Sequence, residues 1–250
     1  MGSSVTQALV DYARPATGMR VLDLATGTGE PGISLARSVG STGHVTASDL
    51  SPELLEVATE RARSKGLNNF STQQADAHHL PFPDHSFDLS TCRFGVMFFQ
   101  DAMQALSELR RVLKPGARAC FVVWGPFEQP YWQAVIKPAL DHSGGPLLEP
   151  GGADPFRYAK AGSLPGLLRA AGFHDVDESP QTVPWVWPGE TGELFEYACA
   201  VAAPFRQMLD RIPEEQWPQI RAEAIAAIEK YQTGGEIRFT VDVIFVSGKA

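Results

Sequence analysis

The stretch VLDLATGTGEPG, residues 21–32, joins an apolar strand to a glycine-rich loop with an aspartate near the end of the strand. Gly27, Gly29 and Gly32 match the spacing G-x-G-x-x-G, in which glycine permits a tight turn and lets a ligand approach the backbone. This spacing occurs in sites for more than one nucleotide-like ligand. The ligand therefore has to be inferred from the residues around the loop.

Strand and helix patterns alternate through the first half of the chain, which favours parallel βαβ units. We predict strands at residues 20–24, 44–48, 70–74, 87–92, 117–124, 175–183 and 239–246. Two segments interrupt this order, residues 126–162 and 184–236, and both contain aromatic residues. The predicted division is a cofactor-binding core at 1–125, a first lid insertion at 126–162, a core helix and strand at 163–183, a second lid insertion at 184–236, and a final core strand at 237–250.

Composition excludes several classes of protein. The 250 residues carry a formal net charge of -8 and contain no run of Lys or Arg, so a nucleic acid partner is not expected. Cys92, Cys120 and Cys199 are odd in number and far apart, which favours reduced thiols in a cytoplasmic protein, and no spacing indicates a metal site. No apolar run approaches the roughly 20 residues that span a bilayer. The expected partner is a small molecule, and a homodimer is left open.

Three aspartates, Asp23, Asp49 and Asp76, follow one another at intervals of 26 and 27 residues, each at or just after a predicted strand end. These intervals match one strand-helix-strand unit, so the three side chains can share the carboxyl edge of the sheet, where open α/β sheets bind ligands. Asp49 is placed to accept hydrogen bonds from both hydroxyls of a ribose, which suits NAD and S-adenosylmethionine equally. The alternative is that the three are unrelated turn and cap residues.

Asp23 separates the two cofactors. A carboxylate just before the glycine turn would repel the pyrophosphate of a dinucleotide. It would be favourable beside the ammonium and sulfonium groups of S-adenosylmethionine. Asp76, followed by the small Ala77, could then accept a hydrogen bond from the adenine amine.

Five segments in order carry a family resemblance: residues 21–32, 45–51 (VTASDLS), 75–77 (ADA), 80–88 (LPFPDHSFD) and 109–116 (LRRVLKPG). Together they resemble the motifs of class I S-adenosylmethionine-dependent methyltransferases, and are most similar to the ubiquinone/menaquinone-biosynthesis type of small-molecule methyltransferase. The resemblance covers about residues 18–125. It implies an α/β fold with a Rossmann-like, doubly wound sheet of seven strands, the last antiparallel, under a lid formed by the insertions.

The resemblance also implies a set of cofactor contacts. Asp23 and the backbone of Ala25, Thr26, Gly27 and Gly29 would hold the methionine portion, Asp49 the ribose, and Leu50 one face of the adenine. Asp76 and Ala77 would read the adenine amine, and Arg93 would form the floor beneath the sulfonium. The chain departs from the family at Ala25, where many relatives have glycine; this is expected to be tolerated if its φ is negative. Only about twenty residues precede the first strand, whereas relatives often have a longer helical segment there, so either closure over the cofactor depends on the insertions or the chain is shortened.

Methyl transfer needs an in-line approach, exclusion of water and sometimes a base. His142, beside Asp141 in the first insertion, is the candidate base, whereas His78 and His79 are expected to lie in a loop on the adenine side. The candidate substrate pocket comprises Phe94, Met97, Trp124, Tyr131, Trp132 and Trp185, with core or lid packing as the alternative role.

The sequence therefore predicts methyl transfer from S-adenosylmethionine, with S-adenosylhomocysteine as product, to O, C or N of a small apolar or aromatic molecule. Two alternatives remain. An NAD-dependent oxidoreductase could use the same glycines, although no Tyr-x-x-x-Lys pair is present. A protein of this fold could also bind the cofactor and transfer no methyl.

Overall fold

The computed structural model describes residues 3–250 as an α/β fold built on one sheet. Its strands are β1 Arg20–Leu24, β2 His44–Asp49, β3 Phe70–Gln74, β4 Phe87–Arg93, β5 Leu113–Trp124, β6 His174–Trp187, β7 Gln232–Thr233 and β8 Glu236–Lys249. Its α-helices are α1 Ser3–Ala13, α2 Gly32–Val39, α3 Pro52–Ser64, α4 Ala102–Val112, α5 Pro130–Val135, α6 Lys137–His142, α7 Ser163–Ala170, α8 Thr191–Ala200, α9 Arg206–Leu209 and α10 Trp217–Glu229.

The strand order is β3-β2-β1-β4-β5-β8-β6, and the two-residue β7 pairs with β8. Strands β1 to β5 are parallel, whereas β8 is antiparallel to both of its main neighbours, β5 and β6. The predicted doubly wound sheet with a last antiparallel strand is confirmed. The chain reverses its lateral direction between β1 and β4, which is where such sheets open a crevice at their carboxyl edge.

Local signals explain why the elements near this edge begin where they do. The Ser51 hydroxyl accepts a hydrogen bond from the Leu54 amide at 3.2 Å, and Pro52 occupies the first helical position of α3. Leu55, Ala58 and Ala62 are the buried face of that helix. The cap fixes α3 directly after β2, so that Asp49 stays at the end of its strand.

The predicted start of the second insertion, at residue 184, falls inside a strand. β6 continues to Trp187, past the expected end at residue 183. Pro184, where the second insertion was predicted to begin, therefore lies within the strand. Proline cannot donate to a ladder, but within residues 3–250 β6 pairs with β8 alone, and proline is tolerated at such an edge. Trp185 and Trp187 are consequently held by the sheet.

The helices of the two insertions pack on one another. α10 contacts α5, α6 and α8, and buries Ile220, Ala224 and Ile228. The helices of the first insertion follow β5, and those of the second lie between β6 and β8. In residues 3–250, no helix has both the length and the apolar composition that crossing a membrane requires.

Candidate functional site

Asp23 is completely buried at the end of β1 and organises the glycine loop. Its carboxylate accepts hydrogen bonds from the Thr26 hydroxyl at 2.6 Å, the Thr91 hydroxyl at 2.7 Å and the Gly32 amide at 2.9 Å. Burial raises the pKa of this carboxyl to about 6, against the opposing effect of its three donors and of the Arg93 charge. The three donors tie the strand, the loop and the start of α2 together.

Asp23 and the backbone of Thr26 were predicted to hold the methionine portion of the cofactor, and this stays a prediction. Neither side chain lines the crevice at the carboxyl edge. The Thr26 hydroxyl is turned inward to Asp23, and its amide donates to the carbonyl of Ser48 at 2.9 Å. The sequence gives the position of a carboxylate along a strand, but it does not reveal how deeply the loop covers it.

The loop glycines serve two different purposes. Gly29 has a φ of 103°, and a Cβ there would lie 2.8 Å from the Ile33 side chain and 3.1 Å from that of Ala58. Gly27 has a φ of 56°, and a Cβ there would meet no atom within 4 Å. The loop is therefore packed tightly against α2 and α3 at Gly29, whereas there is open space beside Gly27.

Ala25 does not meet the condition set for it from the sequence. Its φ is 55°, in the left-handed region that glycine adopts at little cost, whereas alanine was expected to be tolerated if its φ were negative. A Cβ added to Gly95 would lie 2.5 Å from the Ala25 Cβ. The loop after β1 and the loop after β4 thus touch at these two small residues, which both line the crevice.

The crevice has a volume of about 480 Å³. Its lining comprises Leu24, Ala25, Asp49, Leu50, Ala75, Asp76, Ala77, His78, Phe94, Gly95, Phe98, Phe99 and Gln100. These residues come from the ends of β1, β2, β3 and β4. Of the predicted cofactor contacts, the crevice brings together Ala25, Asp49, Leu50, Asp76 and Ala77.

Asp49 anchors the loop from the neighbouring strand. One of its oxygens accepts a hydrogen bond from the Gly27 amide at 2.8 Å, and the other accepts from the Ser51 amide at 3.1 Å. The adjacent Leu50 is 64% exposed, although it is a large apolar residue. A carboxylate with one backbone donor on each oxygen retains lone pairs for further hydroxyl donors.

Asp76 is held by His78, which follows two residues later in the chain. One oxygen, Oδ1, accepts from the His78 amide at 2.9 Å and lies 2.5 Å from His78 Nδ1. The amide of Asp101, which caps α4, donates to His78 Nε2 at 3.2 Å. These hydrogen bonds from His78 lower the pKa of the Asp76 carboxyl. His78 lies in the expected loop, where it orients Asp76 and lines the crevice.

Arg93 ends β4 beside the loop without lining the crevice. Its Nε donates to the carbonyl of Glu30 at 3.3 Å, and its guanidinium lies 5.9 Å from the centre of the Phe94 ring. Burial lowers its pKa, and the negative charge of Asp23 opposes that effect. A guanidinium would repel a sulfonium placed directly above it, so the geometry gives no support to Arg93 as a floor for that group.

A second, aromatic cavity of about 600 Å³ adjoins the crevice. Phe94 and Trp124 stack with ring centres 4.2 Å apart, and Tyr131 and Trp185 stack at 4.1 Å. Of the predicted pocket residues, Phe94, Trp124, Tyr131, Trp132 and Trp185 line it. The rest of its lining is Phe98, Ala153, Pro155, Tyr197, Ala198, Val201, Ala202, Ala203, Pro204 and Phe205. Phe94 and Phe98 belong to both the cavity and the crevice.

Met97 and His142 lie apart from these two spaces. Met97 is buried and lines a third cavity with Leu148, Glu149 and Arg157. His142 ends α6, where Nε2 lies 3.0 Å from the Glu223 carboxylate of α10 and Nδ1 lies 3.3 Å from the Gln216 amide oxygen. The Glu223 hydrogen bond raises its pKa. His142 therefore links two helices and does not line the crevice or the aromatic cavity.

Sequence reasoning placed Phe98 near the substrate mouth without selecting it for the pocket, and it missed Tyr197 and Phe205. Phe98 lies in the short 3₁₀ turn Val96–Phe98 after β4 and is 43% exposed. Tyr197 lies in α8 and Phe205 shortly after it, in a segment with no motif to mark it. In residues 3–250, no cluster of three or more His, Cys, Asp or Glu side chains is arranged to hold a metal ion.

Comparison with known proteins gives a family. The model of the ubiE/COQ5 methyltransferase family matches residues 5–135. The ubiquinone/menaquinone biosynthesis C-methyltransferase of Haemophilus ducreyi is 33% identical over 67% of this chain and 69% of its own length. The enzyme of the same name from Shewanella halifaxensis is 45% identical over 42% of each chain. This chain covers half or less of the length of several of the curated relatives it matches.

Solved structures show the same fold at lower identity. The YcgJ protein of Bacillus subtilis superimposes with a TM-score of 0.60 at 23% identity, over 98% of this chain and 97% of that one. The [4+2]-cyclase SpnF has a TM-score of 0.58 at 23% identity, over 98% and 79%. The matched family model spans the strands and loops that build the crevice. The chain belongs to the ubiE/COQ5 methyltransferase family.

Proposed function

We propose that this protein transfers the methyl group of S-adenosylmethionine to O, C or N of a small, largely apolar or aromatic molecule. One observation carries the proposal: the crevice with the family motifs and the aromatic cavity share the wall formed by Phe94 and Phe98. A cofactor in the crevice and an aromatic molecule in the cavity would meet at that wall. Family membership supports the reaction type.

The residues of the crevice fit the adenosine half of the cofactor. Each oxygen of Asp49 has one backbone donor and can accept a ribose hydroxyl as well. Asp76 Oδ2 has no hydrogen-bond partner among residues 3–250, which leaves it free to accept from an amine. The exposed Leu50 offers an apolar face to a flat base. Exposure of so large an apolar side chain is explained if a ligand covers it.

When bound, the cofactor supplies a methyl group on a positively charged sulfur. The chain itself orients and desolvates the acceptor. Phe94 and Phe98 line both spaces, and the aromatic walls would exclude water from the point where the two ligands meet. We propose that the insertions at residues 126–162 and 184–236 act as a lid, since they supply most of the cavity lining. A cytoplasmic location is part of the proposal and is supported by the three free cysteines.

Calorimetry with S-adenosylhomocysteine tests the proposal. Wild type should bind, and Asp49→Ala should raise Kd about 100-fold, because it removes both the ribose acceptor and the Gly27 anchor; this is roughly 3 kcal/mol. Asp141→Ala, which removes an exposed carboxylate on α6, is the matched control and should leave Kd unchanged. No binding by folded wild type, or equal binding by Asp49→Ala, would sink the idea.

A binding protein or a catalyst of another reaction is the second candidate, since a solved neighbour with this fold is a [4+2]-cyclase. Mass analysis separates the two, because only a methyltransferase adds one methyl to an aromatic acceptor. Competition with NAD tests the oxidoreductase alternative. We expect NAD not to displace S-adenosylhomocysteine, since the buried Asp23 disfavours a pyrophosphate at the loop.

A further inference from the structure

We propose that His78 is a positioning residue of the crevice, which holds Asp76 so that one carboxylate oxygen is left to read the exocyclic amine of adenine. The inference rests on the proposed function and deepens it, because it names the group that makes the crevice selective for a purine with an amine. Three observations support it: the partners of the His78 ring, the arrangement of donors on Asp76, and the support that α4 gives to both.

The two ring nitrogens of His78 have partners that define its tautomer. The backbone amide of Asp101 donates to Nε2 at 3.2 Å, and Nδ1 lies 2.5 Å from Asp76 Oδ1. Because a backbone amide can only donate, Nε2 carries the lone pair, and the ring is neutral with its proton on Nδ1. His78 therefore donates to Asp76, and neither ring nitrogen is left free to take a proton from a substrate.

Both donors of His78 meet the same oxygen of Asp76. Oδ1 accepts from the His78 amide at 2.9 Å and from Nδ1, whereas Oδ2 has no hydrogen-bond partner in residues 3–250. These hydrogen bonds lower the pKa of the Asp76 carboxyl, which is therefore ionised at neutral pH. A rotation that exchanged the two oxygens would break both bonds. Asp76 thus offers the crevice that it lines an acceptor-only oxygen in a fixed orientation.

An oxygen of this kind distinguishes purines by their donors. The exocyclic amine of adenine can donate to Oδ2, whereas a purine with hydrogen in place of the amine leaves that oxygen without a partner beside the base. The distinction requires that the carboxylate is already oriented when the ligand arrives. The Asp76 side chain is 45% exposed, so without His78 it would be free to rotate, and ordering it would reduce the affinity.

The ring of His78 is itself held in place. Its centre lies 6.2 Å from that of Phe99 at an interplanar angle of 66°, and its side chain is only 18% exposed. Asp101, whose amide meets Nε2, caps α4 by accepting from the Gln104 amide at 3.0 Å. α4 is anchored in the core by a buried apolar face. The orientation of Asp76 is therefore transmitted from a core helix through the imidazole.

The backbone of the loop is held by α4 independently of the imidazole. Gln104 Nε2 donates to the His78 carbonyl at 3.1 Å. The Leu80 amide donates to Glu108 at 3.0 Å, and Arg111 donates to the Leu80 carbonyl at 2.9 Å. A substitution of the His78 side chain therefore removes the contacts of the ring and leaves the loop attached to α4. The role of the ring can thus be measured separately from folding.

Calorimetry compares S-adenosylhomocysteine with its 6-deamino analogue, in which hydrogen replaces the exocyclic amine. Wild type should bind the adenine compound about 30-fold more tightly, as expected for a hydrogen bond to a charged group. His78→Phe keeps a ring against Phe99 but removes both nitrogens, and should reduce the ratio to about threefold or less. His78→Asn places an amide donor near the position of Nδ1 and should keep the ratio above about tenfold.

His44→Phe is the matched control. His44 begins β2, where its Nε2 lies 2.8 Å from the Ser71 hydroxyl, and it does not line the crevice. The same substitution there should leave the ratio of the two affinities at the wild-type value. A loss of the ratio in both variants would mean that removing a half-buried imidazole disturbs the sheet in general, and would overturn the specific role of His78.

Nitrogen-15 NMR of wild type tests the tautomer directly, with the proton of His78 expected on Nδ1 and the lone pair on Nε2. A proton on Nε2, a wild-type ratio near one, an unchanged ratio in His78→Phe, or a ratio in His78→Asn as low as in His78→Phe would each overturn the inference. Failure of folded wild type to bind S-adenosylhomocysteine would instead overturn the proposed function, so the two failures are distinguishable.

Discussion

The crevice and the aromatic cavity share two phenylalanines but are built on opposite principles. In the crevice, Asp49 and Asp76 are each tied to backbone amides within 22 residues of themselves, and every such tie lies at a strand end. In the cavity, the walls are rings that stack on rings from distant segments, such as Phe94 on Trp124 and Tyr131 on Trp185. Under the proposed function, the first would hold its ligand through fixed polar atoms and the second mainly through shape.

This difference indicates which part of the site tolerates substitution. A polar contact in the crevice depends on the sheet register and on loop backbone, so altering it also alters the loop. A ring in the cavity wall can be exchanged for another of similar volume without moving a strand end. The two regions should therefore respond independently to substitution.

The largest expected effect comes from Trp185→Ala. The indole is buried and stacks on Tyr131 at 4.1 Å and Trp124 at 5.5 Å. Removing it should lower the free energy of unfolding by about 4 kcal/mol, measured by urea denaturation. In the folded variant, Kd for S-adenosylhomocysteine should stay within about twofold of wild type if the regions are independent.

Trp217→Ala is the control for that prediction, because this partly buried indole lies in α10 and lines neither the crevice nor the aromatic cavity. It should also leave Kd unchanged and cost less stability. A tenfold rise of Kd in Trp185→Ala alone would show that the cavity walls set the shape of the crevice.

The same difference explains how far the sequence could be interpreted. Asp49, Asp76 and the capping Ser51 lie next to strand ends, so the spacing of strands and helices was enough to place them on one edge. Tyr197 and Phe205 reach the cavity from α8 and its following turn through packing between distant segments, which leaves no local pattern. The burial of Asp23 could not be predicted for a related reason, because it depends on how the loop folds back over β1. His142 was predicted from its position beside Asp141 in the first insertion, but α6 brings it against α10.

The second prediction concerns the electrostatic cost of the crevice. Burial raises the pKa of Asp23 to about 6, whereas an unfolded chain gives about 3.9. The folded state therefore binds the proton more tightly. This contribution to stability is fully present below about pH 4 and is lost as pH rises through 6, by roughly 3 kcal/mol in all.

Urea denaturation of wild type and Asp23→Asn from pH 4 to pH 7 measures this contribution. The stability of the variant relative to wild type should improve by about 2 kcal/mol across that range, whatever its starting value, because part of the titration of the unfolded chain lies below pH 4. Asp141→Asn, at an exposed carboxylate, should give a profile parallel to wild type. Parallel profiles for wild type and Asp23→Asn would contradict the pKa shift. Trp185→Ala keeps Asp23, so its profile should parallel that of wild type; a pH dependence like that of Asp23→Asn would contradict the contrast between the two regions.

The smallest effect tests how closely the crevice loops approach. Gly95→Ala would bring a Cβ to 2.5 Å from the Ala25 Cβ and 2.9 Å from Cys92 Sγ, so we expect a loss of about 2 kcal/mol. Ala25→Gly removes a methyl group from a residue with a φ of 55°, and should change stability by about 1 kcal/mol or less in the stabilising direction. Ala25→Gly should stabilise the Gly95→Ala protein more than it stabilises wild type, because in the double variant the clash with the Ala25 Cβ disappears. Strict additivity in urea denaturation would mean that the loops move apart freely, and the crevice would then be as tolerant of substitution as the cavity.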